Sequence, residues 1–287
     1  MLIAIAFYLI FLGQIGLISI YYPHKFTRRI QYVTNNFSPN EYPKLYPESI
    51  DTIHLKRKIY LGLNYIIAIL GLVLLVVTMP LNAVENVDYQ RIDSMPLIFG
   101  MVQFIPVLLL EISSFKQFKL MRAANTSTNK TADLTPRRLF DYISPLLLSF
   151  TAILIISCIL FELYINEYTL TDDVISKIVA LVLCNGLFIF LTYKNLHGKK
   201  LDPYQANTDR SKQTRTAIQS MVFVSILVSI FFMATAIINR FDFIELEVFV
   251  NSLYFQFISI FGFGSLLRAL PIEELNFDVY KAEKVMN

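Results

Sequence analysis

The sequence predicts an all-α protein: a polytopic membrane helical bundle of seven transmembrane helices, N-terminus outside and C-terminus cytoplasmic. Three observations carry that reading. Of the 287 residues, 55% are hydrophobic and only 16% charged, with a mean hydropathy of +0.54. A water-soluble domain coats itself with roughly a quarter charged residues, so much of this surface must face something else. Seven stretches of about 20 apolar residues recur, each able to cross a hydrocarbon core as a helix whose backbone groups satisfy one another. Finally, 22 of the 25 Lys and Arg fall on alternate connections, the asymmetry that marks the cytoplasmic side. The 24 Phe and 16 Tyr exclude a disordered chain, and nine Gly with 11 Pro exclude a Gly/Pro-built fibre.

The first apolar stretch, 2–22, has no basic residue ahead of it and Lys25, Arg28 and Arg29 behind it. A cleaved signal peptide has the opposite charge order, so this segment is expected to remain as an anchor. A basic cytoplasmic loop, 23–58, follows; its Tyr22-Pro23, Tyr42-Pro43 and Tyr46-Pro47 steps predict a stiff segment lying along the membrane surface. Residues 59–267 form a six-helix bundle of three hairpins, with spans at 59–79, 96–115, 143–161, 174–193, 217–238 and 248–267.

Each hairpin is entered in the same way. Asp51 precedes His54, Lys56, Arg57 and Lys58; Thr135-Pro136 precedes Arg137 and Arg138; Asp209 precedes Arg210, Lys212 and Arg215. Asp, Thr and Pro suit helix N-termini, which predicts helices that begin in the cytosol, one to two turns below the membrane. Similar loop lengths are enough to explain the repeated plan. The outer connections are short and acidic, with Glu85, Asp88 and Asp93, then Glu162, Glu167, Asp172 and Asp173, then Asp242, Glu245 and Glu247. Only Arg91, Lys177 and Arg240 are basic there. The acidic tail, 268–287, is repelled by anionic inner-leaflet lipid, so Glu273, Glu274 and Asp278 are expected to pair with Arg137, Arg138 or Lys199.

Without Trp, Tyr is expected to mark the interfaces. Cys158 and Cys184 lie at different depths and are expected to stay unpaired. The sequons at Asn36, Asn125 and Asn129 fall in cytoplasmic loops, where glycosylation does not occur.

Signatures for phosphate loops, serine elbows, zinc helices and paired cysteines are missing from the sequence. His24, His54 and His197 sit in three separate inner loops and read as solvated or capping side chains, so no cofactor or metal is predicted. Inside the spans, Glu111 is the one acid away from an outer end. It follows Gln103 and Pro106 on the third helix, where Pro106 suggests a kink beside a polar pocket. Pairing with Lys116 is the plainer expectation for Glu111. Gln103, Glu111, Asn185 and Gln256 are the candidate intramembrane polar site. Ser252, Gln256 and Ser259 share one stripe, which equally suits simple helix packing. Lys199 and Lys200 beside Gly198, with Arg137 and Arg138, are candidate head-group contacts.

The sequence thus points to a multi-pass protein of a bacterial inner membrane without covalent catalysis, either a small transporter or an assembly or regulatory subunit. The alternatives are an enzyme acting on lipid head groups at the cytoplasmic face and a seven-helix receptor. Expected partners are anionic inner-leaflet lipids and a protein met in the membrane or cytoplasm. Topology already accounts for the basic pI of 8.7, so no nucleic acid is expected.

Overall fold

A computed structural model describes residues 2–78, 94–125 and 137–282. The acids Glu85, Asp88 and Asp93 with Arg91, the sequons starting at Asn125 and Asn129, and Thr135-Pro136 fall wholly or partly outside these residues. Among the described residues, seven helices are long and apolar enough to cross a membrane. The first runs from Leu2–Gln14 through a π-helical stretch, Ile15–Tyr21, into Tyr22–Asn36. The others are Ile50–Thr78, Met95–Ala124, Pro145–Ile165, Asp172–His197, Asn207–Phe241 and Ile244–Ser259, the last continuing through a π-helical Ile260–Gly264 to Ser265–Ala269.

Local chemistry sets the ends. Ser49, not Asp51, holds the start of the second span, its hydroxyl accepting from the Thr52 N–H at 3.4 Å. The fourth begins at Ser144-Pro145, with Ser144 accepting from the Leu147 N–H at 3.2 Å. Arg137 and Arg138 therefore precede a separate 3-10 turn, Leu139–Asp141, and are not in the helix's first turn as expected. Asp209 lies in the first turn of the sixth helix but spends its carboxylate on the Asn276 N–H of the tail, at 3.0 Å. The third helix continues unbroken through Pro106. Irregular winding falls instead just before Pro23, whose missing N–H and ring disrupt the preceding turn, and at the Gly262 and Gly264 pair.

The bundle has two lobes. The first, second, third and seventh spans pack together, the fourth and fifth pack on the sixth, and the sixth meets the seventh. Phe7, Phe11, Ile15, Ile67, Phe99 and Val248 form the core of the first lobe, and Cys158, Leu181 and Val228 the core of the second. Large apolar side chains point outward elsewhere, with Val77 75%, Ile189 70% and Leu146 83% exposed. Such a belt is at rest only against hydrocarbon. Lipid tails are as apolar as these side chains, so burial does little to hold one helix on another; close approach and hydrogen bonds do. Gly71 and Gly100 provide the approach. A Cβ on Gly71 would lie 2.5 Å from Cζ of Phe99, and one on Gly100 would enter the ring of Phe255.

The basic ends of the helices gather on one face. There the tail docks, but by aromatic packing rather than by the expected pairing with Arg137, Arg138 or Lys199. Phe277 stacks on Phe37 at 4.1 Å, and Tyr42, Met121 and Tyr280 are buried between them and Tyr204. The Tyr280 hydroxyl donates to Asp202 at 2.5 Å, and the Ala282 N–H donates to the Glu41 carbonyl at 3.2 Å. Of the expected acids, Glu274 reaches Lys212 at 3.5 Å and Asp278 pairs with Lys281. Phe277→Ala is therefore expected to free the tail, at a cost of about 2 kcal/mol for a half-buried ring, and limited proteolysis should show faster cleavage after residue 270. Burial, then the charges of Asp202 and Asp209, push the Tyr280 phenol well above its ordinary 10.0. The raised value favours the protonated phenol in the docked state. Docking should hold below pH 10 and weaken as the pH climbs through and beyond it, a dependence that Tyr280→Phe should remove.

Candidate functional site

Gln103, Glu111, Asn185 and Gln256 do not face one cavity. Gln103 is buried in the first lobe, where its carbonyl accepts from Gln14 at 2.9 Å and its amide donates to Ser19 at 2.8 Å. Gln256 belongs to the same lobe and donates to the Ile10 carbonyl at 2.9 Å. Asn185 lies in the other lobe, where it accepts from the Ser225 hydroxyl and donates to Leu181 at 2.9 Å. Glu111 is exposed on the outward stripe of Leu108, Ile112 and Phe115, and among the described residues it makes no ion pair, with Lys116 or any other cation. Glu111→Gln, which removes an unpaired carboxyl from this apolar stripe, should therefore leave membrane abundance and thermal stability at or above those of the parent. Gln14→Leu should cost about 1 kcal/mol by removing the bond to Gln103, since hydrogen bonds between membrane helices contribute about that much.

Nor do the four candidate head-group cations converge. Lys200 donates to the Gln205 carbonyl at 2.9 Å, and the Gly198–Gln205 turn is held by Arg122, by Arg210 and by the Asp202 carboxylate accepting from Tyr204. The Asp141 carboxylate accepts from the Arg138 backbone N–H at 3.1 Å and closes the short turn ahead of the fourth span. None of the four lines the cavity of the basic face.

Two polar cavities stand out. At the acidic face, one of about 420 Å³ opens between the fourth, fifth and sixth spans, with Glu162, Asn166, Glu167, Asp173, Lys177 and Arg240 on its walls. Glu162 is only 5% exposed. Lys177 approaches it at 3.6 Å while pairing with Asp173 at 2.6 Å, and Arg240 meets Glu167 at 3.2 Å. Helical spacing aligns these groups with the interior of the lobe. Cys158 lies one turn inward from Glu162; Leu181 and Asn185 lie one and two turns inward from Lys177; Ser229 and Ser225 continue the line on the sixth helix. Cys158, a free thiol, donates to the Ser229 carbonyl at 3.5 Å. Cys158, Leu181 and Phe232 close the cavity inward, and beyond them sits the Asn185–Ser225 pair.

At the basic face, a cavity of about 640 Å³ lies between the ends of the first and seventh helices, with Lys25, Arg28, Arg29 and Arg268 on its walls. Sequence reasoning missed both cavities. Lys177 was visible as a lone cation among outer acids, and Lys25, Arg28 and Arg29 as cations spaced three and four apart between Tyr21 and Tyr32. Each was absorbed into the charge count of its loop. Among the described residues no three His, Cys, Asp or Glu side chains are grouped to hold a metal ion.

Seven apolar spans in an outward apolar belt make this a multi-pass membrane protein. No protein-family model, curated protein or solved structure matches the chain, so the cavities themselves carry the functional reading.

Proposed function

We propose that the protein carries a small solute bearing both charges across a bacterial inner membrane, without covalent catalysis, with its acidic face outside and its basic face in the cytoplasm. The observation that supports this is Glu162, nearly buried yet on the wall of an open polar cavity, opposite Lys177 at 3.6 Å. An ionisable group withdrawn from water among membrane helices is costly, and retaining one favours a role in binding or moving a charge. The walls carry both signs, so an ammonium can take the place of Lys177 beside Glu162 and Asp173, while a carboxylate turns to Lys177 or Arg240. The apolar closure at Leu181 and Phe232 acts as the gate, and the Asn185–Ser225 pair receives the solute beyond it.

The test is uptake of radiolabelled L-amino acids, offered singly, into proteoliposomes. Uptake of at least one above protein-free liposomes is expected, with loss in Glu162→Gln while thermal stability is retained. No uptake of any of them, or equal uptake by Glu162→Gln, contradicts the reading.

A further inference from the structure

The basic cavity lies in the other lobe from the proposed path. Lys25, Arg28 and Arg29 stand three and four residues apart on one stripe of the first helix, and Arg268 closes the opposite wall from the end of the seventh. Like charges at this spacing repel along a helix. Among the described residues Arg28 and Arg29 make no ion pair, and Arg29 is partly withdrawn from water. Among the described residues, Glu273 is the one acid on the walls, against four cations. Lys25, Arg28 and Arg268 are exposed and Arg29 is half-buried with Glu273 as its nearest acid, so the walls present a net positive charge to whatever enters.

Its position is as informative as its charge. Both helices change to π winding as they approach it, at Ile15–Tyr21 and Ile260–Gly264, and the two meet through Tyr22, whose ring packs on Phe263 at 5.4 Å. Single π segments commonly re-aim helix faces at binding sites. The walls are amphipathic. Ile260 lies on the side of the span, whereas Arg268, at the helix end, and Arg28, Arg29 and Tyr32, further along the first helix, lie towards the loops. The volume of about 640 Å³ is that of a small-molecule pocket.

From this convergence of Lys25, Arg28, Arg29 and Arg268 in one amphipathic cavity, we infer a binding site for a phosphate ester, with the phosphate held between the two helix ends. The guanidinium groups take the phosphate oxygens in paired hydrogen bonds, and Lys25 adds charge without fixed geometry. A phospholipid entering from the leaflet and a soluble phosphorylated compound offer the same group. Binding would tie the first helix to the seventh and so clamp the first lobe.

The experiment uses the full chain in nanodiscs of phosphatidylcholine, with or without phosphatidylglycerol, and in phosphatidylcholine nanodiscs titrated with inorganic phosphate. Thermal stability and lipid retained in native mass spectra are read. Arg29→Gln/Arg268→Gln should bind about 25-fold more weakly, at about fivefold per cation removed near a membrane surface. Arg137→Gln/Arg138→Gln, on the same face but outside the cavity, should bind as the parent does. Glu273→Gln removes the opposing charge and should bind about fivefold more tightly, which decides the matter even if the double Arg variant does not accumulate. Stabilisation and retention of phosphatidylglycerol supports the site with a lipid as its source. Stabilisation by phosphate with no added effect of phosphatidylglycerol supports it with a soluble source. If neither probe stabilises the parent, or if the Arg29/Arg268 and Glu273 variants respond as the parent does, the inference is overturned. Neither result depends on solute uptake through the other lobe.

Discussion

Replacing Lys177 with Met is expected to destabilise the protein by about 3 kcal/mol, the lower end of the range for stranding one member of a buried ion pair. Glu162, at 5% exposure, would lose the ammonium 3.6 Å away, and among the described residues the Asn166 amide at 3.4 Å would be its remaining polar side-chain partner. The cavity beside it opens outward, and that access to water keeps the cost below the upper limit. Adding Glu162→Gln removes the stranded charge, so the double variant should recover most of the loss. Thermal unfolding in detergent of the parent, the two single variants and the double variant gives the coupling directly. If Lys177→Met melts with the parent, Glu162 is better hydrated than its burial implies.

Gly100→Ala should have an effect of comparable size in the first lobe. The added methyl would enter the ring of Phe255, which is 7% exposed and packed against Phe104 and Tyr254. A ring so enclosed moves only with its helix, and overpacking of this kind costs about 1–3 kcal/mol. Gly16, Gly62, Gly186 and Gly262 have no such neighbour within 4 Å. Their Ala variants should be neutral, or more stable by up to about 1 kcal/mol through helix propensity. Unfolding midpoints for the five Ala variants separate the two groups. A Gly100→Ala midpoint among the other four would mean that the third and seventh helices are not in close contact.

The spans were legible in the sequence because lipid imposes length and apolarity on every segment that crosses it. The gathering of basic helix ends was legible for a related reason, since alternate connections must share a face. What was not legible depends on partners distant in the chain. Nothing near Phe277 announces Phe37, and nothing near Arg268 announces Arg29. Gln103 was readable as a buried polar residue, but its partners Gln14 and Ser19 lie on a helix that reads as a plain anchor. Glu111 misled for the opposite reason. An acid in an apolar run suggests an inward-facing site, yet the rotation of the third helix turns it outward with Leu108 and Ile112. The second span's start was misjudged because Ser49 caps it two residues ahead of Asp51, and the fourth's because Ser144-Pro145 begins it nine residues beyond Thr135-Pro136, past a separate turn.

The proposed transport needs the two faces on opposite sides of the membrane, acidic outside and basic inside, and cysteine labelling of intact cells reads their sidedness. Cys158 and Cys184 are first replaced by Ala, and single cysteines are then placed at Thr169, an exposed residue at the acidic-face cavity, and at Ser38, exposed on the basic face. A membrane-impermeant maleimide should label Thr169→Cys in intact cells and Ser38→Cys only after the membrane is opened. Labelling of Ser38→Cys in intact cells, with Thr169→Cys protected, would invert the molecule and overturn the proposed direction of both faces.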